Sequence, residues 1–182
     1  MGLSVISAQQ SAATEKTTAA IDQLLDHVAT YPNDAITYRP SDMFLAAHSD
    51  AGFNNNSKAQ RSAGDHIFLS EERKIPQWNG AVLTIAQIIK FVILSAVEAE
   101  LGALYITYKE MIPVHQALII LGWKQPPSAV KNNNSTAEGL INNTIIQRKI
   151  KPMDLRFHWL RCRELQGQIR YYWAPGKLNW AD

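Results

Sequence analysis

Acidic residues at the ends of apolar runs are the main chemical signal in this sequence. Asp50 closes the run Phe44-Leu45-Ala46-Ala47-His48-Ser49 and precedes Ala51-Gly52, which sets a carboxylate where a strand turns away. On its own, an aspartate that opens a turn is structural more often than catalytic. Glu98 and Glu100 stand early in a helical pattern, and Asp182 is the last residue. Carboxylate oxygens suit hard divalent ions. No glycine-rich phosphate loop, paired-histidine metal helix or nucleophile elbow occurs in the chain. Cys162 is the only cysteine, which excludes an internal disulfide and a cysteine-based zinc cage and fits a reducing intracellular compartment, cytoplasm or nucleus. Flanked by Arg161 and Arg163, its thiol is expected to be half-buried and structural.

The elements that must position these acids can be read from hydrophobic periodicity. Residues 14–30 carry Ala19, Ile21, Leu24, Leu25 and Val28 on one helical stripe, ended by Tyr31-Pro32-Asn33-Asp34. Extended segments are expected at 35–38 and 43–51, then at 63–70, followed by a hairpin connection at 71–80. The apolar run 82–97 is too short to span a bilayer and contains Gln87 and Lys90, so a buried strand is expected there and no membrane partner. A helix begins near Ser95, and a second helical segment covers 114–121 before Gly122 and Pro126-Pro127. A short strand at 128–133 precedes a helix capped by Ser135 or Thr136. A basic helix at 153–166 and an alternating strand at 168–173 complete an α/β pattern with an antiparallel start and later crossovers.

With 182 residues, 46% of them hydrophobic and 19% charged, the chain has material for one core. Its formal charge of +2 gives no whole-protein argument for nucleic-acid binding, so any such argument must come from local patches. Residues 1–13 lack the basic and apolar regions of a secretory signal, and Ile6 stands where a myristoylation signal needs Ser or Thr.

The segments HSDAGF, RSAGDHIFLS, SAVEAELGALYITYKE, NNNSTA, MDLRFHWLR and IRYYWAPGKLNWAD occur in that order between His48 and Asp182. Taken in sequence they resemble the ribonuclease H segment of copia-type retrotransposon polyproteins. The resemblance covers most of the chain. It implies a ribonuclease H-like α/β fold, a mixed five-stranded sheet flanked by helices, over residues 35–182. Residues 1–34 resemble the helical connection that precedes this domain in such polyproteins, and this makes a reverse transcriptase domain an implied partner.

The family carries four acids: at the end of the first strand, in the first helix, after the fourth strand and near the C-terminus. Asp50 matches the first, Glu100 the second in preference to Glu98, and Asp182 the fourth. The family's Asp-Asn-Ser falls on Asn133-Asn134-Ser135, so Asn133 stands where a carboxylate is expected, and Glu138 does not match. The resemblance implies two Mg²⁺ ions held by these acids, with Asp50, Glu100 and Asp182 as the remaining ligands. An asparagine keeps the shape of the aspartate and one oxygen, but removes a full charge.

The implied activity is metal-dependent endonucleolytic hydrolysis of the RNA strand of an RNA–DNA hybrid, impaired here by Asn133. The alternative is a decayed or domesticated fragment that binds nucleic acid without cutting it. For phosphate contacts the candidates are Arg148, Lys149 and Lys151, continued by Arg156, Arg161 and Arg163, against the plainer reading of a solvated helix face. His158, between Phe157 and Trp159, is expected to pack rather than act as ligand or base. Tyr171, Tyr172 and Trp173 could stack on bases, but strand alternation favours Ile169, Tyr171 and Trp173 as core.

Overall fold

The computed structural model describes residues 2–7, 9–52, 61–71, 77–91, 93, 95–142, 155–179 and 181. Helices α1 (Gly2–Ser7) and α2 (Glu15–Thr30) come first. Thr14 starts α2 through a capping box with Thr17, as a hydroxyl ahead of a helix does. Its apolar stripe stays open: Ile21, Leu25 and Val28 are all exposed.

Three antiparallel strands follow, β1 (Phe44–Gly52), β2 (Ser62–Ser70) and β3 (Ala81–Ile88). The long helix α3 (Ala96–Ile120) crosses to β4 (Ser128–Asn132), and helices α4 (Ser135–Ile141) and α5 (Leu155–Leu165) precede β5 (Ile169–Trp173). The sheet order is β3-β2-β1-β4-β5, with β4 parallel to both β1 and β5. This is the mixed five-stranded sheet flanked by helices that the motif order implied.

Alternation divides the strands between two faces. Leu45, Ala47, Ile67, Val130, Ile169 and Tyr171 point to the helical side and form the main core with Leu104, Tyr108 and Met111 of α3. Phe157 and Leu160 of α5 close that core. His48 and Lys131, paired across β1 and β4, lie on the opposite face and are also buried.

Several local expectations are corrected. Residues 35–38 form no strand, although the Gly80 N–H donates to the Thr37 carbonyl and the Tyr38 hydroxyl to the Ala81 carbonyl. The apolar run after residue 81 is not a buried strand, because β3 is the outermost strand and Val82 is 47% exposed. Helix α3 runs unbroken through Pro113, merging the two predicted segments. Asn134 caps α4 by accepting from the Ala137 N–H, in place of Ser135 or Thr136.

Candidate active site

Parallel pairing of β1 with β4 brings two motif positions side by side. The register sets Ala47 beside Val130 and His48 beside Lys131. One further step sets Ser49 beside Asn132, and the next sets Asp50 beside Asn133. The contacts follow that order: Asn133 Nδ2 donates to Asp50 Oδ1 at 3.1 Å, and Asn132 Nδ2 lies 3.3 Å from the Ser49 carbonyl. The C-terminal ends of parallel strands on either side of a reversal in strand order form a natural crevice for a ligand.

Glu100 enters this crevice from α3. Ser95 caps the helix by accepting from the Glu98 N–H, which leaves Glu98 exposed on the first turn and turns Glu100 inward. Glu100 is buried, and Asn132 Nδ2 donates to its Oε2 at 2.6 Å. The same Asn132 amide therefore touches both the Glu100 carboxylate and the Ser49 carbonyl. From the other side, Asn179 Nδ2 reaches the Ser49 carbonyl at 3.1 Å and Asp50 Oδ1 at 3.4 Å. Asp50 and Glu100 are thus joined through two asparagines that meet on one carbonyl oxygen.

Asp50 and Asn133 touch directly, while Glu100 is linked to them through Asn132, which also reaches the Ser49 carbonyl; Asp182, the fourth expected position, lies outside the described residues. Asn132 and Asn179 were missed by sequence reasoning. The only signals were the run of three consecutive asparagines at 132–134 and the place of Asn179 three residues before Asp182.

Burial sets the electrostatics around the crevice. His48 is held at a pKa of about 3, first by burial and then by the neighbouring Lys131 charge, so it is neutral. Burial also lowers Lys131. Asp65 of β2, 4% exposed, is pushed up to about 7 by burial, against the opposing hydrogen bonds of Thr107 and Ser49.

The donor chemistry suits a hard cation, since it consists of carboxylate and carboxamide oxygens. Half a turn of the Asn133 amide would present its oxygen instead of its nitrogen. Among the described residues no group of three His, Cys, Asp or Glu side chains gathers to hold an ion.

Of the basic residues, Arg148, Lys149 and Lys151 lie outside the described residues. Arg156, Arg161 and Arg163 are on α5 and each meets a ring. The Arg156 guanidinium lies 3.9 Å from the Phe91 ring centre, Arg163 4.9 Å from Trp159, and Arg161 5.8 Å from Phe157. Cys162 is exposed rather than half-buried, and His158 is exposed rather than packed. Both lie on the outer side of α5, away from buried Phe157 and Leu160. Ile169 and Tyr171 are core, but Trp173 is 49% exposed and donates its indole N–H to the Asn133 carbonyl at 3.0 Å.

No family model matches the chain. The curated Retrovirus-related Pol polyprotein from transposon TNT 1-94 of Nicotiana tabacum is 28% identical over 142 residues, which is 78% of this chain and 10% of the polyprotein. The chain spans about a tenth of the length of the curated relative it matches. Among solved structures, LC11-RNase H1, isolated from compost by a metagenomic approach, superposes with a TM-score of 0.55 at 10% identity. That match covers 75% of this chain and 88% of the other, and at this identity it speaks for the fold. The chain is thus similar in sequence to a stretch of a retrotransposon Pol polyprotein, and it shares the ribonuclease H fold.

Proposed function

We propose that this domain binds an RNA–DNA hybrid and hydrolyses its RNA strand with the help of a divalent ion, at a rate held down by Asn133. The observation that carries this reading is the chain of contacts where β1, β4 and α3 converge: Asn133 on Asp50, and Asn132 on both Glu100 and the Ser49 carbonyl. Asp50 and Glu100 would hold the ion, with the Asn133 oxygen as a neutral third donor. When bound there, a divalent ion supplies charge that lowers the pKa of an attacking water and steadies the departing oxygen. Asn132 and Asn179 orient the two carboxylates and keep them from turning into the protein. Trp173, exposed beside Asn133, offers a flat apolar surface to the sugar or base next to the cleaved phosphate. Arg156, Arg161 and Arg163, each partly exposed on α5, would supply the positive charge that phosphates of the hybrid meet.

The same reading divides the chain into a helical connection over 1–34 and the hydrolase domain over 35–182, active inside the cell. The exposed Ile21, Leu25 and Val28 stripe on α2 supports a role for that connection in contacting a preceding reverse transcriptase domain. A second reading, hybrid binding without cleavage, is favoured by the carboxamide at position 133. Single-turnover cleavage of a hybrid by native, Asp50→Asn and Asn133→Asp proteins decides between them. Slow native cleavage lost in Asp50→Asn and increased in Asn133→Asp is expected. If none of the three cleaves although all bind hybrid, the second reading stands.

A further inference from the structure

Behind the crevice lies a buried polar contact that the proposed chemistry does not use. Asp65 on β2 stands directly opposite Ser49 on β1, facing α3. Thr107 Oγ1 of α3 lies 2.6 Å from Asp65 Oδ1, 2.9 Å from Ser49 Oγ and 3.0 Å from the Ala103 carbonyl. Thr107 has one hydroxyl hydrogen, and the Ala103 carbonyl can only accept. With Asp65 as a carboxylate, that hydrogen is contested by two acceptors. With Asp65 as a carboxylic acid, the acid donates to Thr107, Thr107 to Ala103 and Ser49 to Thr107, so three contacts have three hydrogens. The burial that raises the Asp65 pKa to about 7 agrees with the acid form.

The cluster is costly. Asp65 Oδ2 is buried without a partner among the described residues, and an apolar side chain in its place would avoid that cost. Its position offers an explanation. Ser49 supplies the carbonyl on which Asn132 and Asn179 meet, and its neighbour is Asp50. Thr107 lies two helical turns from Glu100, on the same side of α3. The contact therefore ties the strand that carries one site carboxylate to the helix that carries the other.

We propose that Asp65 is a positioning residue: by holding Thr107 against Ser49 it fixes α3 relative to β1, and so fixes Glu100 relative to Asp50. This inference rests on the reading of Asp50 and Glu100 as the pair that holds a divalent ion. Loss of the tie leaves a folded domain whose two carboxylates no longer meet an ion in one geometry, and supporting residues of this kind typically change metal affinity by about 10- to 100-fold.

The test measures Mn²⁺ affinity by calorimetry and by the free-ion resonance signal, alongside thermal melts, for native protein, Asp65→Asn, Asp65→Leu, Thr107→Val and Asp50→Asn. Asp65→Asn, whose amide can still donate to Thr107, is expected to stay within about twofold of native. Asp65→Leu and Thr107→Val should bind Mn²⁺ at least about tenfold more weakly while still melting cooperatively. If Thr107→Val is folded and binds Mn²⁺ as native does, the positioning role is overturned and the cluster is packing alone. Should Asp65→Leu not fold, Thr107→Val and Asp65→Asn still decide the matter. If native and Asp50→Asn proteins both lack Mn²⁺ binding, the ion-site reading itself fails and the positioning role goes with it. That outcome differs from native binding that Thr107→Val leaves unchanged.

Discussion

Replacing Asn133 by Asp sets a second carboxylate against Asp50, at a position where an amide nitrogen now lies 3.1 Å from Asp50 Oδ1. Two unit charges about 3 Å apart repel by roughly 1.3 kcal/mol in water and about 5 kcal/mol at the effective dielectric of a protein surface. The hydrogen bond that the amide gave to a charged acceptor is lost as well, worth about 1.5–3 kcal/mol. Asn133 is half-exposed while Asp50 is buried, so a value near the middle of the summed range, about 5 kcal/mol, is expected for the ion-free protein. For a domain of this size each kcal/mol moves Tm by roughly 2–4 °C, so Asn133→Asp should melt about 10–20 °C below native in EDTA. A divalent ion reverses the sign, because it turns mutual repulsion into shared attraction. At a Mg²⁺ concentration near 100 times Kd the bound ion returns about 2.7 kcal/mol. Melts with EDTA and with Mg²⁺ check this directly, and hybrid cleavage should rise by about a hundredfold or more in the same variant. Equal melting of native and variant in EDTA, with no larger Mg²⁺ response in the variant, would refute the claim that positions 50 and 133 share an ion site.

Three further outcomes follow from contacts described above. Asp65 has a folded pKa of about 7 against an ordinary 3.8, so its contribution is fully present below pH 3.8 and is lost as pH rises through about 7. Native stability should therefore fall across that window by up to about 4 kcal/mol relative to Asp65→Asn, and urea melts at pH 4 and pH 8 with parallel slopes for both proteins would contradict this. Asn132→Ala removes the 2.6 Å hydrogen bond to buried Glu100 and should destabilise the domain by about 1.5–3 kcal/mol in a denaturant titration. Joint replacement of Arg156, Arg161 and Arg163 by Ala should weaken hybrid binding and reduce its salt slope by up to about three, measured by titration at several salt concentrations. An unchanged slope would remove the phosphate-contact reading of those side chains.

The mixed sheet with its antiparallel start and later crossovers, and the motif positions Asp50, Glu100 and Asn133, could be read because motif spacing follows the chain. Asp50 and Glu100 could be read in this way. Asn132 and Asn179 could not, since an asparagine's amide looks the same in a turn, a cap or a ligand shell until its partners are known. Asp65 was hidden for a related reason: an acid inside a strand reads as a solvent-facing position, and only the register with Ser49 turns it toward α3. Two helical segments were expected where one runs through Pro113, and the loss of one backbone donor is tolerated where Met111, His115 and Leu118 keep the flanking turns buried. The half-exposure of β3 depended on its place at the sheet edge, which no local pattern encodes. The exposure of Cys162, His158 and Trp173 depended in the same way on which side of an element the core lies.

Gly102, in the middle of the α3 motif, has no side chain for a reason that reaches beyond the helix. A Cβ there would come within 2.8 Å of the Phe91 ring, and the Arg156 guanidinium lies 3.9 Å from the centre of that ring. Gly102 and Arg156, on two different helices, thus both meet the one Phe91 ring. Substitution at any one of them changes what the other two can be: a larger residue at 102 expels the ring, and without the ring the guanidinium loses its seat. These positions should drift together among related transposons, and a lineage that keeps Phe91 should keep Gly102. Arg156 is then under two demands at once, one from the packing beneath it and one from any phosphate above it. A copy that has ceased to bind hybrid would still be expected to retain this arginine, so its persistence in a sequence is no sign of a working enzyme.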